Sequence, residues 1–280
     1  MHQPILINLL LLPLLALAFP FPESEGRDIS GLLGNKSSGL KTVLEDLLPV
    51  ISKNDVLKNA TTCPKMTVLF ARGTDEPGSS FPSWDRNVGI LTGPPFFAAL
   101  ADYMNGTNQL AIQGVDYPAH VNGFLAGGSV IGSAVMYIPP SSPVFLHQTL
   151  KTPQNRSALI NHTLSLCPTT PLILSGYSQG AQIVHLVTSS LSLSTTAQIA
   201  SVVLFGDPKN GTALQGIDAR KVLTLCHAGD DVCKGGDEVG AAHLNYSADA
   251  GEAAMFVLGS AGGELGITSR RMRTVGGGLG

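Results

Sequence analysis

A serine between two glycines, three histidines downstream of it and a pair of adjacent aspartates are the side chains of this chain whose types and spacing could do chemistry. The serine is Ser178, in Gly176-Tyr177-Ser178-Gln179-Gly180. The apolar run "PLILSG" leads into it, and the helically spaced "AQIVHLVTSSL" follows at once. Gly-x-Ser-x-Gly in that context, a buried strand turning into a helix, predicts a nucleophile elbow. Glycines flank the serine because so sharp a turn leaves no room for side chains. The turn puts the Ser178 hydroxyl at a helix N-terminus, where free N–H groups and the helix dipole favour developing negative charge. The chemistry this serves is acyl transfer.

A serine hydroxyl needs a base, and the base needs an orienting carboxylate. On α/β-hydrolase scaffolds these follow the serine in the order acid, then histidine. His185 lies seven residues into the helix that Ser178 opens and is expected to decorate it. His227 follows the run "KVLTLC" directly and is a possible base, but it precedes every acid in its own loop. His243 stands in "GAAHLNY", before the final helical stretch, where a loop can lay an imidazole over the elbow. The acid comes from "CHAGDDVC", which offers Asp230 and Asp231. A bond between Cys226 and Cys233 would hold that loop beyond the end of a strand and fix a carboxylate there. Without such a role both aspartates read as turn formers.

These groups need a scaffold, and the apolar runs supply one. "MTVLFA" (66–71), "QLAIQGV" (109–115), "PLILSG" (171–176), "ASVVLFG" (200–206) and "KVLTLC" (221–226) are continuously apolar rather than alternating, as in strands covered on both faces. "PFFAALADYM", "RSALINHTLSLC", "AQIVHLVTSSL" and "DAGEAAMFVLGSAG" have helical spacing. The alternation predicts a three-layer α/β sandwich around about five parallel strands, with ligands at the carboxyl ends of the strands.

With 280 residues, 44% of them hydrophobic and 13% charged, the chain suits one sizeable core. A net charge of -3, a pI of about 6.1 and no basic stripe exclude nucleic acid as a partner. Residues 1–18 read as a secretory signal peptide ending in Ala16-Leu17-Ala18. The run is broken by Pro13 and falls short of the roughly 20 residues a membrane span needs, so no stable membrane insertion is expected. Residues 19–62 form a pro-segment or extension, with an amphipathic helix at 40–51; the globular pattern starts near Cys63 and runs to about residue 260. Residues 136–154, with four prolines, are either a substrate-facing loop or a retained intron. The tail 261–280 reads as disordered and lacks the hydrophobic end of a GPI signal. Four cysteines fit an oxidising compartment and leave three pairings open. Sequons at Asn35, Asn59, Asn105, Asn155, Asn161, Asn210 and Asn245 agree with secretion.

Taken in order, "VLFARGTDEPG", "GYSQGAQIV", "FGDPKNG" and "CHAGDDVC...AAHLNY" resemble the fungal cutinase family, secreted lidless serine esterases that include acetylxylan esterases. The likeness spans about Cys63 to Gly259. It implies Ser178 as nucleophile, Asp230 rather than Asp231 as acid and His243 as base. It also implies an oxyanion hole from the Gln179 N–H and Thr74, and disulfides Cys63–Cys167 and Cys226–Cys233. The chain departs from the best-known members in two places: Thr74 stands where they have serine, keeping the hydroxyl, and the segment 136–154 is longer. The Ala71-Arg72-Gly73 turn favours the cutinase branch. No metal or cofactor is implied, and a monomer is expected. The substrate is a polymeric or small carboxylic ester, cutin or a short-chain acyl ester. The alternatives are acetylated xylan and, in another class, a catalytically silent secreted protein that binds surfaces.

Overall fold

The computed structural model describes residues 53–58, 62–76, 87–104, 106, 109–137 and 158–265, all within the unit Pro49–Gly280. The signal at 1–18, the helix at 40–51, segment 138–154, the tail from 266 and the sequons at Asn35, Asn59, Asn105 and Asn155 lie outside the described residues.

Five strands, β1 (Met66–Ala71), β2 (Leu110–Gly114), β3 (Leu172–Tyr177), β4 (Ile199–Phe205) and β5 (Val222–Leu225), form one sheet in the order β2-β1-β3-β4-β5. Every pairing is parallel. Each predicted run became a strand within a residue or two, because its apolar side chains are needed on both faces. In β1, Val68 and Phe70 point to one layer while Leu69 and Ala71 point to the other, the two-residue alternation of a pleated strand. The edge strand β5 buries only Leu225.

The first layer holds α1 (Gly93–Tyr103) and α7 (Ala250–Leu265), packed on Phe70, Val203 and Phe205 through Phe96, Leu100 and Val257. Pro94 and Pro95 open α1, where a missing N–H costs nothing and a fixed φ already suits the helix. The second layer holds α3 (Val130–Met136), α4 (Leu159–Leu166) and α5 (Gln179–Thr188) over Leu69, Leu174 and Leu204. Two five-residue helices, α2 (Val121–Leu125) and α6 (Leu193–Ala197), complete the set described. They and α3 are too short for periodicity to reveal.

Residues upstream of Cys63 also pack on the sheet. Asn54 bridges to Gln113, Asp55 pairs its N–H with the Ile112 carbonyl, and its carboxylate accepts the Ile112 N–H. Lys53-Asn54-Asp55 thus covers the open edge of β2 through backbone and polar side chains, leaving no apolar pattern to read. The Cys63–Cys167 disulfide ties the approach to β1 to the end of α4. Its loop of about 100 residues corresponds to about 4.7 kcal/mol of unfolded-state entropy in the chain-entropy description.

Candidate active site

The site sits where the parallel strands end. Ser178 follows β3 and caps α5 with φ 55° and ψ -118°, a left-handed conformation uncommon for a residue with a side chain. The two glycines are sterically obligatory. A Cβ on Gly180 would lie 1.9 Å from the Ala71 carbonyl oxygen, and one on Gly176 would lie 2.3 Å from the Gly180 carbonyl carbon. The Ser178 N–H is held by the Phe205 carbonyl at 2.9 Å, so the end of β4 fixes the turn.

His243 Nε2 lies 2.9 Å from Ser178 Oγ, and Nδ1 lies 2.9 Å from Asp230 Oδ2. All three residues are nearly inaccessible to solvent. Tyr177 stacks on the imidazole at 5.2 Å and donates its hydroxyl to the His243 carbonyl at 2.8 Å. Gly206, with φ 55°, lets the end of β4 pass the ring, since a Cβ there would sit 2.8 Å from its Cε1.

Asp230 is held from two sides. The Val232 N–H donates to Oδ1 at 3.0 Å, and the Tyr246 hydroxyl donates to Oδ2 at 2.6 Å. Burial pushes this carboxyl up, but the hydrogen bonds from Tyr246 and His243, the charge of His243 and the Val232 N–H outweigh burial and hold it below the usual carboxylate range. The Cys226–Cys233 disulfide closes this loop. Asp231 turns away and accepts the Glu238 N–H at 3.2 Å.

Thr74 Oγ1 accepts from Gln179 Nε2 at 3.0 Å, and the same nitrogen donates to the His120 carbonyl at 2.8 Å. The Thr74 hydroxyl hydrogen is therefore left to donate elsewhere. The Gln179 N–H is the first of α5 and has no partner within its own helix. Thr74 is thus tied by its hydroxyl to the residue that follows Ser178.

Beneath Thr74 lies a charged cluster that the sequence reading missed. Glu76, fully buried, accepts the N–H groups of Gly73 at 2.7 Å, Leu91 at 2.9 Å and Ile90 at 3.0 Å. Burial pushes its carboxyl up against the pull of those three N–H groups and of Arg72. Arg72 donates to the Tyr117 carbonyl at 2.6 Å, and the Tyr117 hydroxyl returns a bond to the Arg72 carbonyl. The available signal was two charged residues, Arg72 and Glu76, directly after a buried strand. Tyr246 was missed as well, although it stands three residues past His243.

The other two histidines found different places. His185 does not simply decorate its helix: it is buried, with Nε2 2.9 Å from Asp207 Oδ2, because α5 packs against the turn after β4. His227 faces Ala242 and Asp249 rather than Ser178. Among the described residues no group of three His, Cys, Asp or Glu side chains could hold a metal ion. No helix among them is long and apolar enough to cross a membrane.

A serine raised on a strand-to-helix elbow over a parallel sheet, facing a histidine paired with a buried carboxylate, defines an α/β-hydrolase-type serine esterase. The family model for cutinase matches residues 62–260. A cutinase of Botryotinia fuckeliana is 43% identical over 203 residues, which are 72% of this chain and 86% of that one. A cutinase of Monilinia fructicola is 37% identical over 257 residues, 92% of this chain and 96% of that one. The solved Trichoderma reesei cutinase, in complex with a phosphonate inhibitor, superposes with a TM-score of 0.60 at 35% identity, covering 88% of this chain and 95% of that one. The chain belongs to the cutinase family, and it is a carboxylic ester hydrolase.

Proposed function

We propose that the chain hydrolyses esters by acyl transfer through Ser178, with His243 as base and Asp230 orienting the imidazole. The observation that carries this is the unbroken line Ser178 Oγ to His243 to Asp230, each contact 2.9 Å. His243 takes the hydroxyl proton as Ser178 attacks the carbonyl carbon. The resulting oxyanion is received by the Gln179 N–H and the Thr74 hydroxyl, and His243 returns the proton to the leaving alcohol. Water then attacks the acyl carbon while giving a proton to the same imidazole, and His243 returns that proton to Ser178 Oγ as the carboxylic acid leaves.

The substrate we propose is a hydrophobic ester, cutin or an acyl ester of butyrate length. Val121 and Leu125 on α2 and Val130 and Ile131 on α3 are exposed. This ground adjoins the site, since Gly123 lies against the Gln179 side chain and Gln182 donates to the Phe124 carbonyl at 3.2 Å. An apolar acyl polymer gains from such a rim, and a bare acetyl group does not need it. We also propose that the chain is secreted as a monomer after loss of residues 1–18. Its two disulfides are at home in an oxidising compartment, and the sequon asparagines Asn210 and Asn245 are exposed.

The test is hydrolysis of p-nitrophenyl esters from acetate to palmitate, beside cutin and acetylated xylan, with Ser178→Ala as control. Turnover of butyrate and cutin that vanishes in the variant supports the reading. Activity confined to acetate and acetylxylan moves the substrate to sugar acetates, and no turnover dependent on Ser178 overturns the proposal.

A further inference from the structure

His227 makes four hydrogen bonds at the back of the site. Its carbonyl accepts the Asp230 N–H at 3.1 Å, and its own N–H donates to the Tyr246 hydroxyl at 3.0 Å. Ring atom Nδ1 lies 2.9 Å from the carbonyl oxygen of Ala242, the residue before His243, while Nε2 lies 2.6 Å from Asp249 Oδ2. A carbonyl and a carboxylate only accept, so the ring makes both contacts at once when each nitrogen carries a hydrogen. The ring also stacks on Tyr246, with centroids 4.2 Å apart and planes 19° from parallel. Tyr246 is the phenol that donates to Asp230. One side chain therefore touches the loop that carries His243 and the group that holds Asp230, and Asp249, at the threshold of α7, braces it from outside. It touches neither Ser178 nor the space in front of it.

We propose that His227 is a positioning residue for ester hydrolysis. Its Nδ1–H pins the Ala242 carbonyl, and so sets the height of the backbone from which His243 reaches Ser178, while its ring keeps the Tyr246 phenol turned toward Asp230. The inference rests on the reading of Ser178, His243 and Asp230 as the catalytic triad. If the ring only filled space, a leucine of similar volume would serve. If it acts through Nδ1, asparagine should serve better, because its amide nitrogen occupies the place of Nδ1 and nothing occupies that of Nε2.

The experiment measures kcat and KM on p-nitrophenyl butyrate for the parent, His227→Leu and His227→Asn, with active sites counted by an alkyl p-nitrophenyl phosphonate. That probe forms a Ser Oγ–P bond and releases one p-nitrophenolate for each site. A small misplacement of a reacting group is expected to cost about 10- to 100-fold. His227→Leu should lose that much kcat per labelled site with KM roughly unchanged, and His227→Asn should recover most of it. Equal kcat per site in parent and His227→Leu, or equal losses in both variants, would overturn the proposal, as would a loss explained wholly by fewer labelled sites. If His227→Leu does not fold, His227→Gln replaces it. Its longer amide reaches Asp249 but not Ala242, so activity matching His227→Asn would again overturn the proposal. Failure of the triad reading looks different: the parent itself would release no p-nitrophenolate.

Discussion

Replacing Thr74 by valine tests the proposed oxyanion role of one hydroxyl. The two side chains have nearly the same shape and the same β-branch, so the restricted rotamer of the site is kept. Gln179 Nε2 loses its 3.0 Å bond to Thr74 but retains the 2.8 Å bond to the His120 carbonyl, so the amide should stay in place. Thr74 is partly exposed, and losing one such bond costs about 1 kcal/mol, a fall in Tm of roughly 2–4 °C for a domain of this size. The transition state loses more. One missing oxyanion donor typically lowers kcat by about 10²–10³, or about 2.7–4 kcal/mol. Because that donor acts only once charge develops, KM should hardly move. The assay is steady-state hydrolysis of p-nitrophenyl butyrate beside a thermal melt, with Thr74→Ser as the variant that keeps the hydroxyl. Thr74→Val with kcat within about threefold of the parent would refute the role, as would a Thr74→Ser variant just as impaired.

Other perturbations test the support around the site. Tyr246→Phe removes the 2.6 Å bond to Asp230 and orphans the His227 N–H; a hydrogen bond to a charged group is worth about 1.5–3 kcal/mol, and a denaturant titration should show a loss of that order. The depressed pKa of Asp230 gives a stability that is present above the ordinary carboxylate range and lost as pH falls through the folded value. Tyr246→Phe raises that folded value, so acid unfolding followed by circular dichroism should begin at a higher pH than in the parent. Glu76→Gln turns an amide donor toward one of three backbone donors; a loss of about 1–3 kcal/mol, with lower kcat because Gly73 precedes Thr74, is the expected result of melts and kinetics run together. Replacing both Cys226 and Cys233 by serine opens a loop whose closure is worth about 2.5 kcal/mol in the chain-entropy description, and calorimetry should find a lower Tm.

The strands were legible because each is an unbroken apolar run, and the elbow because Gly176 and Gly180 are forced by contacts under 2.5 Å that no larger residue could survive. Choosing His243 over His227 needed chain order and the family likeness, since both follow a strand or loop near an acid. The structure separates them by partner: Ser178 for one, Asp249 for the other. Glu76, Tyr246 and the burial of His185 were not legible. Each depends on a partner 14 to 22 residues away in the chain, and no local pattern reports which polar residue a fold will bury. The upstream segment at Lys53–Asp55 escaped for a related reason, because backbone pairing to a sheet edge leaves no hydrophobic period.

The most direct measurement of the central claim is the mass of the purified chain after an alkyl p-nitrophenyl phosphonate, with the modified peptide sequenced. The account predicts one adduct per chain on Ser178, none in Ser178→Ala, and strongly slowed labelling in His243→Ala. An unmodified chain, or an adduct on any other residue, would contradict it.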